Sequence, residues 1–182
     1  WGNDIKPKNL TDAEKKEVFA NTKGWVREAG SILSGNGNTS ADPEVLVAIG
    51  GLSANMGSAN ITELEFITTA FDKSDGGTLQ VRARFNEPVT VTGTPQLTVV
   101  NDSRANHTLS YASGSTTNEL VFSLTIGAAN SATNAGDVLS IGANAIGLNG
   151  GTIKDTGQSG TNATITNAAS IGTAAGTITV TA

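Results

Sequence analysis

The chain has 182 residues and a formal net charge of −5, and its charged residues (15%) and aromatic residues (4%) are few while glycines number 22. This is the composition of short strands joined by turns, and it excludes a coiled coil or a helix bundle. With 11 basic residues, no cysteine and no apolar run of about 18 residues, we expect no nucleic-acid partner, no thiolate metal site and no membrane span.

The chain divides by composition into two parts, an arm at residues 1–60 and a β-domain at 61–182. The arm carries 6 basic and 7 acidic residues, whereas the 63 residues from Leu120 onward carry only Asp137, Lys154 and Asp155. A surface this poor in charge either relies on Thr, Ser and Asn for its solubility or is partly covered by partners. It therefore hints at self-contact in a homo-oligomer.

A capping box opens the first helix of the arm. In Thr11-Asp12-Ala13-Glu14, Thr11 caps the helix and the side chain of Glu14 reaches back to it. We predict a helix over about residues 12–21, with Val18 and Phe19 as its main apolar side chains. Two large apolar residues cannot bury a helix alone, so it should dock on another element.

Two apolar stretches follow at residues 24–27 and 45–49, separated by a turn-rich tip at 34–40. The pattern favours a β-hairpin, because 45–49 is short and rich in β-branched residues. The alternative is a helix that begins at Asp42-Pro43-Glu44, a good capping series, and ends at Gly50-Gly51.

From Ile61 onward the strand pattern dominates. Residues 79–85 alternate between a core face and a solvent face, with Leu79, Val81, Ala83 and Phe85 inside and Gln80, Arg82 and Arg84 outside. Further strands are expected at 89–91, 97–100, 108–111, 120–126, 138–141, 152–153, 163–165 and 177–180. Strands and turns at this spacing predict an all-β fold, an antiparallel β-sandwich.

The run Phe85-Asn86-Glu87-Pro88-Val89-Thr90-Val91-Thr92-Gly93-Thr94-Pro95-Gln96-Leu97 resembles the F-S-E-x-V-x-V-x-G-x-P-x-L run of bacterial Ig-like repeats of the SwmB-like group, which occur in large surface and adhesin proteins. The resemblance continues at 111–115, 120–122, 141–146 and 148–155 and covers about residues 62–166. It implies an Ig-like β-sandwich. The chain departs from the family in having one copy, and in Asp155-Thr156-Gly157-Gln158 where Asp-Ala-Gly-Asn is usual. Such domains serve as spacers, stalks and binding modules alike.

The arm is similar to the start of small structural proteins of marine tailed bacteriophages. The similar motifs are Trp1-Gly2-Asn3-Asp4, Lys6-Pro7-Lys8-Asn9-Leu10, Glu14-Lys15-Lys16-Glu17-Val18, Gly24-Trp25 and residues 44–49. This resemblance implies a virion protein, and an arm joined to one Ig-like domain suits a head decoration protein.

No arrangement of residues predicts an enzyme, and no cofactor or metal is expected. His107 is the only histidine, and we interpret it as an exposed residue at a strand edge. Glu63 and Glu65 lie two apart on one strand, where they are interpreted as solvent-facing carboxylates rather than a glycosidase pair. Residues 72–77 lack the later glutamate of a calcium loop and are interpreted as a turn.

The arm supplies the candidate partner contacts, because a segment of this length has little core to bury its large side chains. Trp1 and Trp25 are the strongest candidates; the alternative for Trp25 is packing under the hairpin against the sandwich. Arm lysines could pair with an acidic partner surface. The predicted capsid-contact set is Trp1, Lys6, Pro7, Lys8, Phe19, Trp25, Arg27, Val45 and Val47.

Together these expectations describe a non-enzymatic decoration or cement protein on the exterior of a phage capsid. The arm binds the major capsid protein, with residues 45–49 adding a strand to a sheet edge. The Ig-like domain projects outward and touches the host surface weakly. The alternatives are a tail or neck component, and a secreted Ig-like adhesin module that binds cell-surface glycans.

Overall fold

The computed structural model describes residues 6–7, 9–21, 23–31, 37–48, 58–158 and 160–182. The predictions for Trp1, Lys8, residues 49–50 and residues 34–36 of the predicted tip lie outside these residues. In chain order the elements are α1 (Asp12–Glu17), β1 (Val18–Asn21), β2 (Gly24–Arg27), β3 (Glu44–Ala48), β4 (Ile61–Phe66), β5 (Phe71–Asp72), β6 (Gly77–Thr92), β7 (Gln96–Asn101), β8 (His107–Ser113), β9 (Thr117–Ile126), β10 (Val138–Ser140), β11 (Ile146–Gly147), β12 (Thr152–Asp155), α2 (Ala169–Ala174) and β13 (Ile178–Thr181). Neither helix in the described ranges has the length and apolarity needed to cross a membrane.

The strands form two sheets, and the predicted all-β, sandwich-like fold is confirmed. A small sheet has the order β1-β2-β3, and a large one has the order β12-β6-β9-β8-β7-β10-β13-β5, with β4 beside β6 and β11 beside β7. The first half of β6 pairs with β4, and its last residues pair with β12. One pair departs from the antiparallel prediction, because β13 runs parallel to β5.

The predicted alternation along β6 builds the main core. Leu79, Val81, Ala83 and Phe85 are all fully buried. Burial of a large aliphatic or aromatic side chain contributes about 1.5–3 kcal/mol. The same cluster gathers buried residues from most other strands of the large sheet, among them Leu64, Leu97, Leu109, Leu120, Phe122, Leu139, Ile153 and Val180.

The capping box is confirmed, but the helix is shorter than predicted. Glu14 N donates to Thr11 Oγ1 at 3.3 Å, and Thr11 N donates to Glu14 Oε2 at 2.8 Å. The helix ends at Glu17 instead of continuing to about residue 21. Val18 and Phe19 belong to β1, where Phe19 lies opposite Val26 of β2. In a strand these two side chains point to opposite faces, and each is buried against another part of the chain, which an isolated helix could not do.

The hairpin prediction is confirmed for residues 44–48, and the helical alternative is wrong there. Strands β2 and β3 are antiparallel, with Trp25 opposite Val47 and Arg27 opposite Glu44. A β-bulge between these pairs leaves Leu46 as the extra residue.

The C-terminal region differs from the prediction in two places. The strand expected at 163–165 is reduced to isolated bridges, such as the one between Asn60 and Thr164. Helix α2 was not predicted, because its N-cap, Ala168, makes no side-chain capping hydrogen bond. Asn167, just before it, accepts from Ala145 N at 2.9 Å and donates to Gly142 O at 3.0 Å.

The turn between β8 and β9 depends on Gly114, which has a φ of 105°. A Cβ at this position would lie 1.9 Å from Glu119 O. We expect Gly114→Ala to lower the free energy of unfolding by more than about 3 kcal/mol, measured by urea denaturation. Gly136→Ala is the matched control, since Gly136 has a φ of 92° and nothing within 4 Å of the added Cβ. It should cost only the strain, about 1–2 kcal/mol, and equal losses in the two variants would refute the clash.

Candidate partner-binding surface and the Arg84 junction

Arg84 is the centre of a buried ionic cluster, and the prediction that it faces solvent is wrong. Its side chain has 0% exposure. The guanidinium contacts four carboxylates: Nη1 lies 3.1 Å from Glu63 Oε2 and 3.5 Å from Glu65 Oε2, Nε lies 3.1 Å from Glu119 Oε1, and Nη2 pairs with Glu28 Oε2. The alternation placed Arg84 on the correct face of β6. That face is covered by the N-terminal segment, here the described residues from 6 to 48.

Besides the Glu28 carboxylate, the N-terminal segment contributes a backbone carbonyl, an aromatic ring and an ammonium group to this cluster. Arg84 Nη1 donates to Lys16 O at 2.8 Å, and the guanidinium carbon lies 5.1 Å from the centre of the Phe19 ring, in a cation–π contact. Lys6 Nζ lies 3.4 Å from Glu63 Oε1. We call the cluster the Arg84 junction: Lys6, Phe19 and Glu28 from the N-terminal segment, with Glu63, Glu65, Arg82, Arg84 and Glu119 from the large sheet.

The junction holds four carboxylates and three cations, so it carries one excess negative charge. Burial raises the pKa of Glu65, against the attraction of Arg84 and Arg82, and Glu65 Oε2 receives no hydrogen bond within the described part of the chain. Burial lowers the pKa of Lys6, partly offset by Glu63. For Arg84, burial alone would lower the pKa, but the surrounding carboxylates outweigh it and raise the pKa. The prediction that Glu63 and Glu65 face solvent is wrong, because both side chains are half-buried and ion-paired.

Trp25 packs within the N-terminal segment. It is buried with Val18 and Ala20, and the partly buried Leu10 and Leu46 lie against this group. The segment therefore has a small apolar cluster of its own, which the sequence did not lead us to expect. Trp25 is not exposed as an interface anchor, and this cluster is distinct from the main core.

Other members of the predicted capsid-contact set are also engaged inside the chain. Lys6 and Phe19 are buried in the junction. Arg27 Nη2 lies 3.3 Å from Glu14 Oε1, and Arg27 Nη1 lies 3.8 Å from Glu44 Oε2. Pro7 is half-buried.

Strand β3 presents the exposed part of the predicted set. Val45 is 43% exposed and Val47 is 42% exposed; among the described residues the only other exposed large hydrophobic side chain is Leu148, at 38%. Within the described ranges β3 pairs only with β2, so its second edge has no partner strand there. An apolar strand edge of this kind is a template for another strand. Residues 44–48 are therefore the candidate partner-binding surface.

His107 is buried, so its predicted exposure is wrong. It begins β8 opposite Val99, and its Nε2 lies 3.4 Å from Asn101 Nδ2, which donates to Asp137 Oδ2 at 2.8 Å. Burial lowers the pKa of His107, against the charge of Asp137. Hydrogen bonds, first from Ser103 Oγ and then from Asn101, lower the pKa of Asp137. Because Ser103 bonds to Asp137 and not to His107, this network fixes the β7–β8 turn to β10 and lacks the order of a catalytic triad.

The turn interpretation of residues 72–77 is confirmed. Asp72 Oδ1 accepts from Ser74 N at 2.7 Å and from Asp75 N at 3.2 Å, while Thr181 Oγ1 donates to Asp72 Oδ2 at 2.8 Å. The carboxylate is thus used to close an Asx-turn and to hold the last strand. Over the described ranges no group of three or more His, Asp or Glu side chains is placed to hold a metal ion.

Comparisons of the chain with protein-family models, with curated proteins and with solved structures found no match. The resemblances to Ig-like repeats and to phage structural proteins therefore remain predictions from the motifs quoted above. Among the residues of the predicted set, the geometry favours Val45 and Val47 as partner contacts.

Removal of the Arg84 guanidinium would leave four carboxylates facing one another in a buried site. We expect Arg84→Met to lower the free energy of unfolding by about 3–5 kcal/mol, measured by urea denaturation at neutral pH. Arg82→Met is the matched control, because Arg82 is partly exposed and, apart from its pair with Glu28, its contacts with Glu65 and Glu119 are 3.8 and 3.7 Å long. It should cost about 1 kcal/mol. Equal losses would show that Arg84 is no more central than its neighbour.

Glu65 makes the stability of the junction depend on pH. Its folded-state pKa lies above the unfolded value, so the ionised carboxylate costs stability at neutral pH. The cost begins to decrease as pH falls through the folded-state pKa and is gone below the unfolded-state pKa. We expect Glu65→Gln to raise the melting temperature at neutral pH, with a gain that shrinks on acidification. Glu119→Gln, which weakens a 3.1 Å pair with Arg84, should lower it at neutral pH. A loss of stability in Glu65→Gln at neutral pH would contradict this assignment.

Proposed function

We propose that this chain is a non-enzymatic virion protein that decorates or cements a phage head. The small sheet β1-β2-β3 binds the major capsid protein, and the β-sandwich, with an Ig-like fold, projects outward. The observation that carries the proposal is the exposed, apolar edge strand β3, with Val45 and Val47 on it. The resemblance of residues 44–49 to phage structural proteins supports the same surface.

Strand addition is the mode of binding that β3 fits. Its free edge offers main-chain N–H and C=O groups to a strand of the capsid protein, and pockets for alternate side chains give the specificity. Val45 and Val47 each retain under half of their surface, so burying either adds roughly 1 kcal/mol. Such a weak single contact suits a lattice, where many copies act together.

Cementing follows from preference for the assembled state. A protein that binds the expanded lattice and not its free subunits shifts the equilibrium towards the intact shell by mass action. The buried positions of Lys6 and Phe19 restrict the contact, in the form of the protein described above, to β3 and its surroundings.

The test is co-sedimentation of the full chain with purified, expanded heads of a tailed phage. We expect the wild-type chain to sediment with heads in proportion to the capsid subunits. The double variant Val45→Lys/Val47→Lys should abolish sedimentation with heads, because it places two charged side chains where the partner strand would pack. Leu148→Lys is the matched control, since it places a charge on a similarly exposed apolar side chain just after β11, away from β3, and it should sediment like wild type.

Other outcomes would replace the proposal. If the wild-type chain binds tails in a few copies and not heads, the protein is a tail or neck component. If it binds bacterial cells and no part of a virion, it is an adhesin module. If the Leu148 variant loses head binding and the β3 variant keeps it, β3 is not the contact.

A further inference from the structure

The N-terminal segment and the large sheet meet through charge more than through apolar surface. Val18, Ala20 and Trp25 form one apolar cluster, and the main core forms another. Between them lies the Arg84 junction, whose apolar member is Phe19; Val26, opposite Phe19 on the same face of the small sheet, is fully buried as well. Contacts of this polar kind between parts of a chain allow relative motion more readily than a shared apolar core does.

The large-sheet side of the junction remains balanced without the N-terminal segment. If Glu28 is removed, Arg84 keeps Glu63 and Glu119 at 3.1 Å and Glu65 at 3.5 Å. Arg82 likewise keeps Glu119 and Glu65. Separation would therefore leave neither guanidinium unpaired, which is the costly result when an ion pair is broken.

The N-terminal side of the junction is also suited to separation. Its two charged members, Lys6 and Glu28, are opposite in sign, so detachment would expose a pair of side chains that together carry no net charge. Separation would also uncover the face of the small sheet that carries Phe19 and Val26, which are 3% and 0% exposed in the docked form. Lys6 and Phe19 both belong to the predicted capsid-contact set, and both are covered while the segment is docked.

We propose that the Arg84 junction is a latch: the small sheet detaches from the sandwich as an intact unit, and detachment presents Phe19 and Lys6 to a partner. Glu28 holds the latch, because it is the carboxylate of the N-terminal segment that pairs with both Arg82 and Arg84. The identity of the partner as capsid protein rests on the proposed function above; the latch itself does not.

The chain has no cysteine, so two introduced cysteines are unique labelling sites. Lys23→Cys, in the exposed turn between β1 and β2, and Thr108→Cys, exposed on β8, carry spin labels for a pulsed distance measurement on the full chain. The latch variant is Glu28→Lys, which adds a third cation beside Arg82 and Arg84. The control is Asp42→Lys, the same charge change at an exposed residue.

We expect one narrow distance for the wild-type chain and for Asp42→Lys, and a longer, broad distribution for Glu28→Lys. In a Trp1→Phe background Trp25 is the only indole, and its emission should stay that of a buried tryptophan in every variant. An unchanged distance in Glu28→Lys would overturn the latch. Exposure of Trp25 together with the longer distance would also overturn it, because the sheet would then unfold instead of detaching.

Glu28→Gln keeps the proposal testable if the lysine variant does not fold. It removes the charge without adding a like one, and it should populate the longer distance in part. Head binding then separates the two proposals: Glu28→Lys should associate with expanded heads several-fold faster than wild type. A longer distance without any head binding, in wild type or variant, would keep the latch and overturn the capsid partner.

Discussion

The structure depends on one buried guanidinium. Removing Arg84 from water is costly, and the cost is offset because four carboxylates, the Lys16 carbonyl and the Phe19 ring surround it. An arginine suits this place better than a lysine, since its planar fork offers five donors in fixed directions. Its partners come from β4, β9 and the N-terminal segment. One side chain of β6 therefore fixes the position of three other parts of the chain.

The junction also explains how charge is distributed in this protein. Its seven charged side chains are a large share of the few that the chain has, 11 basic and 16 acidic. Beyond Leu120, Asp137 and Asp155 are buried and occupied by hydrogen bonds, for example from Ser103 Oγ and Gly157 N. Charge is thus used to join elements inside the molecule. The surface of the C-terminal part is left to uncharged polar groups, which is why low charge there does not by itself indicate a covered face.

The sequence predicted the local patterns and missed what covers them. The alternation of 79–85, the capping box at Thr11 and the pairing of 24–27 with 44–48 are period and propensity signals, and the structure confirms them. Arg84 is predicted to face solvent because a period of two assigns a residue to a face of the sheet, and His107 because it stands at a strand edge. Neither signal shows what packs on that side chain. Helix α2 lacks a side-chain cap, so no local signal was present. Of the predicted contact set, exposure on an edge strand distinguishes Val45 and Val47, and only the tertiary structure reveals that Phe19 and Lys6 are covered.

A polar closure has a physical advantage for a protein that must dock its binding sheet and also free it. If the small sheet were closed by a shared apolar core, opening would expose a large hydrophobic patch and favour aggregation. Opening the Arg84 junction exposes Phe19 and its neighbour Val26 together with groups that water solvates well, and two exposed apolar side chains are ordinary for a protein surface. The carboxylates that remain around Arg84 compensate its charge in the open form. The excess negative charge of the junction therefore has a use when the junction is open: it keeps both arginines paired after Glu28 has left.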